Sequence, residues 1–299
     1  MKRTWTIALF QHEQPDESVW RELERLVARW NAREEPKFEN VMQFMWQANF
    51  DATTRPQLDR LLAALDALRQ TRGAAYHHAS RQLLEDEDYA IADFIEILGV
   101  GLGTSARPFL LNESSAIGRP QPCPRCGAQD AFSVPQREPY VIDETLLDEP
   151  CEDHPRSPAG GWDLVNLPNG HKLFSRRLAA LLDEHAVEGY DLIEVLAGTR
   201  RRRSKRMFQL GAKRAVPAPC PEHTTIVGRP FCPACGTGYG SLDGFFWIRR
   251  DWIGDDEIVA RHPNRGALLH VSRRVYEALL AASFAGIHRN AVMRVCDHG

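Results

Sequence analysis

The sequence predicts an α+β fold, with an N-terminal mixed α/β unit over residues 1–115 and two strand-helix-strand repeats over 116–215 and 216–299. Three observations carry that expectation. Apolar residues in the first hundred positions alternate in some segments and recur at helical spacing in others. Cys123-Pro-Arg-Cys126-Gly127 is echoed by Cys232-Pro-Ala-Cys235-Gly236. Ser175-Arg176-Arg177 and Ser272-Arg273-Arg274 each open an amphipathic segment that reaches a glycine 14 positions after the serine, at Gly189 and Gly286.

The elements follow in order. Residues 4–10 are partly β-branched and aromatic and read as an opening strand. Asp16 or Ser18 can cap a helix carrying Val19, Trp20, Leu23, Leu26, Val27 and Trp30. Thr54 and Pro56 announce a second helix with Leu58, Leu61, Leu62, Leu65 and Leu68 on one face. A third helix is expected from Ser80 towards Tyr89, and residues 94–100 read as a buried strand. Ser80-Arg81 followed by Ile95-Glu96-Ile97-Leu98 faintly echoes the repeats, as though the first unit were a diverged copy without cysteines. In the repeats proper, the apolar face is Leu178, Leu181 and Leu182 in one helix and Val275, Leu279 and Leu280 in the other. The serines are expected as N-caps and the glycines as C-caps, with strands following at 192–196 and 291–295.

Composition sets the outer limits. A chain of 299 residues that is 43% hydrophobic and 26% charged belongs to the globular class. The first apolar run is too short for a secretory signal, and no run approaches the roughly 20 residues that span a bilayer. A cytoplasmic protein with no membrane partner is expected, and its seven cysteines then stay reduced. The net charge of −3 argues against general affinity for nucleic acid. It hides an acidic first part, where residues 1–120 hold 14 Lys/Arg against 18 Asp/Glu, and a local run of Arg200, Arg201, Arg202, Arg203, Lys205 and Arg206.

Six of the seven cysteines fall into Cys-x-x-Cys or Cys-x-x-His pairs, the spacing of metal ligands. In Cys-Pro-x-Cys-Gly a tight turn aims backbone amides at the first thiolate, and glycine supplies the positive φ that closes the loop. Such a knuckle offers two ligands, and zinc takes four. Pairing by proximity gives Cys123, Cys126, Cys151 and His154 for one ion, and Cys220, His223, Cys232 and Cys235 for a second. Alternatively the two knuckles share one ion, as zinc ribbons do, and the Cys-x-x-His pairs stand aside. A third possibility is that the thiols are packed in the core without metal. One or two structural zinc ions per chain are therefore expected, with Cys296 and His298 incidental.

Enzyme signatures fail, and a non-enzyme is expected. Gly99-Val-Gly101-Leu-Gly103 has its third glycine one residue early for a dinucleotide fingerprint, so a glycine turn at a strand end is the better reading. His185-Ala-Val-Glu188 matches neither the metalloprotease nor the deaminase pattern. The basic run could contact phosphates, but it lies between strand-like segments at 192–196 and 207–210, where an arginine-rich hairpin tip is the better reading. Phe245, Phe246, Trp247 and Trp252 suit a core strand better than base stacking.

The paired CPxCG motifs, with the strand, helix, glycine, strand pattern from Phe245 to Val295, resemble the double-CXXCG motif proteins of myxobacteria, a family associated with Sit-type contact-dependent toxin exchange. The resemblance covers roughly residues 120–299. It implies an immunity protein that works through protein-protein interaction, binding and neutralising a cognate toxin without catalysis. An acidic N-terminal unit would suit a basic toxin such as a nuclease. The competing expectation is a zinc-ribbon nucleic-acid-binding or regulatory protein using Arg200–Arg206.

Overall fold

A computed structural model describes residues 5–11, 39–42, 45–52, 76–82, 84–102, 107–117, 122–127, 136–149, 161–216, 218–227, 241–261 and 266–297, with isolated positions between them that include 232 and 234. Helices and strands are both present, as an α+β class requires. The chain forms two compact units. One contains residues 1–90, 224–231 and 238–244; the other contains 91–223, 232–237 and 245–299.

In the first unit, β1 (Trp5–Gln11) pairs antiparallel with both β3 (Met45–Ala52) and β4 (Tyr76–Gln82), and β2 (Glu39–Met42) closes the order β2-β3-β1-β4. The opening strand is thus where the sequence placed it. Of the first expected helix, Arg21 and Arg25 are described and both are helical. The second starts at a capping box, in which the Gln57 amide donates to Thr54 Oγ1 at 3.4 Å and the Thr54 amide to Gln57 Oε1 at 3.2 Å. Its leucine face lies outside the described residues. The helix expected from Ser80 is not there: Ser80 sits inside β4, and the helix α1 is confined to Asp86–Ile91. The sheet's need for a partner on the free edge of β1 overrides the local capping signal at Ser80. A short hairpin of β13 (Thr225–Val227) and β14 (Ser241–Asp243) completes this unit.

The second unit contains the repeat, and it is built as two six-stranded sheets of the same design. One has the order β6-β8-β9-β11-β10-β7, with β6 (Val100–Gly101), β7 (Val141–Ile142), β8 (Leu164–Asn166), β9 (Lys172–Ser175), β10 (Tyr190–Ala197) and β11 (Arg202–Ala212). The other has the order β12-β16-β17-β5-β18-β15, with β5 (Phe94–Leu98), β12 (Arg214–Ala215), β15 (Phe246–Arg249), β16 (Ile258–Ala260), β17 (Leu269–Ser272) and β18 (His288–Cys296). Strand directions agree position by position: the outermost pair at each end is parallel and every inner pair is antiparallel. The equivalence shows that each sheet borrows its central strand. β5 precedes the first sheet in the chain yet lies in the second, and β11 lies in the first although the chain runs from it directly into β12 of the second. The segment 94–98 is therefore the counterpart of β11 and not a remnant of a third copy.

Each half carries one amphipathic helix on its sheet, α3 (Arg176–Glu184) against β9 and β11, and α5 (Arg273–Ala281) against β17 and β5. Two shorter helices, α2 (Glu113–Ala116) and α4 (Arg250–Ile253), also belong to this unit. The expected N-caps are formed, with Ser175 Oγ accepting from the Leu178 amide at 3.1 Å and Ser272 Oγ from the Val275 amide at 3.3 Å. The buried faces are Leu178, Ala179 and Leu182, matched by Val275, Tyr276 and Leu279. Leu280, expected in the core, is 55% exposed.

The two glycines are not the C-caps. The left-handed residues that end the helices are Ala186 (φ 48°) and Ser283 (φ 52°). Gly189 and Gly286 instead let each helix-strand loop approach the other half closely. A Cβ on Gly189 would lie 2.6 Å from Asp256 Cβ and 2.8 Å from Ile258 O, and one on Gly286 would lie 3.2 Å from Leu164 O. Reciprocal hydrogen bonds hold these approaches: the Asp163 amide donates to Ala285 O at 3.2 Å, and the Glu257 amide to Glu188 O at 3.1 Å. Asp163 also pairs with Arg177 and accepts from Ser175 Oγ, and Glu257 does the same with Arg274 and Ser272.

Between the sheets lies a buried polar centre. Glu96 and Gln209 occupy equivalent positions on the two borrowed strands, and each is 2% exposed. The Gln209 amide and the Tyr140 hydroxyl both donate to His171 Nδ1, at 3.2 Å and 2.6 Å, which puts the His171 proton on Nε2. Asn290 donates to Glu96 Oε2 at 2.8 Å, while Glu96 Oε1 has no hydrogen-bond partner among the described residues. Lys172 and His270 are buried close enough to feel the Glu96 charge, and burial pulls the Lys172 ammonium below its ordinary value.

Two measurements test this construction. Gly189→Ala adds a clashing Cβ at φ +94° and is expected to cost about 2–4 kcal/mol in urea unfolding. Gly198→Ala, at φ +65° with open space around it, should cost only about 1–2 kcal/mol. Burial also lowers the His270 imidazole to about 4. The unfolded chain, with an ordinary histidine near 6.5, then binds more protons than the native one between pH 6.5 and 4. Stability should fall with pH across that window, and His270→Leu should flatten the slope.

Candidate metal centre

The first knuckle forms the turn its sequence implies. The Gly127 amide donates to Cys123 O at 2.8 Å, and Gly127 has φ +70°. This turn places Cys123 and Cys126 on the same side, and Cys232 approaches from 109 residues away. The sulfurs of Cys123, Cys126 and Cys232 all lie within 4.8 Å of one another. Cys123 and Cys232 are 8% and 6% exposed and their sulfurs are 3.9 Å apart. Two thiolates bound tetrahedrally at about 2.3 Å from zinc stand about 3.8 Å apart, so this pair spans a tetrahedral edge.

The second group is Cys220, His223 and Cys296, again with donor atoms mutually within 4.8 Å. Cys220 Sγ lies 3.5 Å from His223 Nδ1. Its backbone amide donates to Trp247 O at 2.7 Å, which ties the turn to β15, and the Cys296 thiol donates to Ile248 O on the same strand at 3.3 Å. Cys220 and Cys296 are buried and His223 is exposed. Burial first, then the hydrogen bond to Glu222, pushes the Cys220 thiol up to about 11. Two Cys/His groups in this chain could thus hold a metal ion.

The grouping differs from pairing by proximity. Among the described residues, Cys123 and Cys126 meet Cys232, and Cys220 and His223 meet Cys296 rather than Cys232. Chain order misleads because the two halves of the unit are interlaced. Cys151, His154 and Cys235 lie outside the described residues, as does His298. Cys296 was missed because a single cysteine has no spacing signal; its place at the end of the last strand was its one legible mark.

The basic run is largely strand. Arg202, Arg203, Lys205 and Arg206 belong to β11, and Gly198, Thr199, Arg200 and Arg201 make the turn after β10. Arg201 pairs with Glu138 at 3.0 Å, Arg203 with Glu194 at 2.9 Å and Arg206 with Asp148 at 2.8 Å. Half of the six cations are thus answered by the protein's own carboxylates. Phe246 is buried, while Arg294 lies over the rings of Phe245 and Trp247 at 5.9 Å and 5.1 Å, so these aromatics serve the β15–β18 edge. His185 ends α3, where its carbonyl accepts from Arg274 at 3.1 Å. Gly99 lies against β8, where a Cβ would come 2.7 Å from Leu164 O, as a glycine at a strand end should.

No protein-family model and no curated protein matches the chain. Among the described residues, no helix is long and apolar enough to cross a membrane.

The geometry predicts how cysteine variants behave. Cys232→Ser should lower bound zinc and the melting temperature as much as Cys123→Ser does, because metal binding and folding are one equilibrium in such sites. Retention of that zinc in Cys232→Ser, measured by atomic emission on purified protein, would contradict the grouping.

Proposed function

We propose that this protein is a non-catalytic immunity protein that binds and neutralises a cognate protein toxin, on a scaffold fastened by structural zinc. The observation that carries the reading is the meeting of Cys123 and Cys126 with Cys232. Cys235, through its Cys-x-x-Cys spacing, is the natural fourth donor, and a closed four-thiolate ion has no position for substrate or water. Such an ion fixes surfaces. Activity is then assigned to the surface so held, which agrees with the role implied by the paired CXXCG motifs.

The charge distribution supports a protein partner over a phosphate backbone. Three of the six cations in the 200–206 run are engaged in ion pairs, so few remain for the counterion release that drives nucleic-acid affinity. The acidic balance of residues 1–120 favours encounter with a basic partner. A cytoplasmic site of action belongs to the same proposal.

Co-expression tests it. The protein should restore growth to cells producing the toxin encoded beside its gene, and a Cys123→Ser, Cys232→Ser double variant should protect less. Killing that continues despite folded protein would sink the reading. The nucleic-acid alternative predicts a salt-dependent affinity for RNA or DNA that falls when Arg200–Arg203 are replaced by Ser.

A further inference from the structure

Cys296 is the seventh cysteine, the one that sequence spacing leaves over. In the structure it ends β18, the last strand, and its sulfur comes into the same small volume as Cys220 Sγ and His223 Nδ1. The three donors come from two chain segments, residues 220–223 and 296, brought together by their separate hydrogen bonds to Trp247 O and Ile248 O on β15. We propose that Cys220, His223 and Cys296 hold a second transition-metal ion of the zinc class, separate from the one at the paired knuckles.

The dimensions fit. An imidazole nitrogen at about 2.05 Å and a thiolate at about 2.3 Å from a tetrahedral zinc stand about 3.6 Å apart. Cys220 Sγ and His223 Nδ1 are 3.5 Å apart. Two thiolates and one imidazole select a borderline-soft cation such as zinc over magnesium or calcium, which require oxygen donors. The burial of both sulfurs keeps water from the thiolate side, whereas His223 is exposed; among the described residues three donors are grouped, which leaves the fourth position open to water. Glu222 lies beside the site, its carboxylate accepting from the Cys220 thiol at 3.0 Å. The tilted contact of the His223 and Trp247 rings, 5.6 Å between centroids, orients the imidazole. Bound metal would clasp the end of β18 to the 220–223 turn, fastening the outer edge of the second sheet just as the knuckle ion fastens the first half to the second.

The site goes beyond the immunity reading and does not depend on it. Titration of the metal-free full chain with Co²⁺, followed by its thiolate charge-transfer absorption, tests it. The wild type should take up two equivalents. His223→Gln changes an exposed side chain and leaves the fold intact. It should weaken one equivalent by roughly 100-fold or more, as loss of a direct ligand exceeds that of an outer partner. Cys296→Ser should abolish the same equivalent, and Cys123→Ser should abolish the other. Imidazole added to Cys123→Ser should shift the remaining cobalt bands by taking the fourth position. Two full-affinity equivalents in both His223→Gln and Cys296→Ser would overturn the site. A single equivalent in the wild type that only Cys123→Ser removes would do the same, while leaving the knuckle site standing. No shift with imidazole would overturn the open position.

Discussion

The reciprocal loan of central strands governs the second unit. β5 and β11 are the middle strands of their sheets, hydrogen-bonded on both sides, and each comes from the opposite half of the chain. Neither half can complete its sheet alone, since removing the borrowed strand exposes both ladders and the apolar faces of α3 or α5. The tight glycine approaches at Gly189 and Gly286 follow from this, because interlaced halves must pass their helix-strand loops across one another. The polar centre follows too. Glu96 and Gln209 occupy the same position on the two loaned strands, so polar side chains are buried where the halves meet: Asn290 donates to Glu96, and Gln209 donates to Gln136 and to His171, which Tyr140 also reaches.

Interlacing also explains where the thiols gather. In a chain of independent repeats, each knuckle would find its remaining ligands nearby. Here the first knuckle's segment follows β6, which sits at the edge of the first sheet, and Cys232 comes from the part of the chain that follows the loaned β11. A metal held by Cys123 and Cys232 would therefore close a loop of 109 residues that strand pairing has already drawn together, which would limit the entropy it must overcome. Ion pairs and a hydroxyl hydrogen bond along the 200–206 segment belong to the same half-to-half exchange: Glu138, Glu144 and Asp148 precede β8, and they meet Arg201, Ser204 and Arg206 at and within the loaned β11.

The sequence revealed what is local. Ser175 and Ser272 announce their helices by capping chemistry, and the structure forms both caps with the same i to i+3 hydrogen bond. Thr54 and Gln57 do the same in the first unit. The knuckle turn at Cys123 is likewise a matter of four residues and a glycine. What the sequence concealed is long-range. A five-residue apolar strand such as β5 carries no mark of its neighbours, and those are β17 and β18, far along the chain. Which donor groups meet is concealed for the same reason, and Cys296, outside any Cys-x-x-Cys or Cys-x-x-His spacing, shows only its place at the end of the last strand. The glycine signal was real but its cause was misassigned: Ala186 and Ser283 take the left-handed turn, and the glycines make room for the other half.

The central claim is that both knuckles serve one ion. A double-mutant comparison of zinc content and stability for Cys123→Ser, Cys232→Ser and the combined variant addresses it most directly. With a shared ion, either single substitution removes the same zinc, and the double variant loses no further metal and little further stability. Separate ions would give additive losses, with the double variant short of two zinc ions and destabilised by the sum of the single effects, and that result would contradict the account.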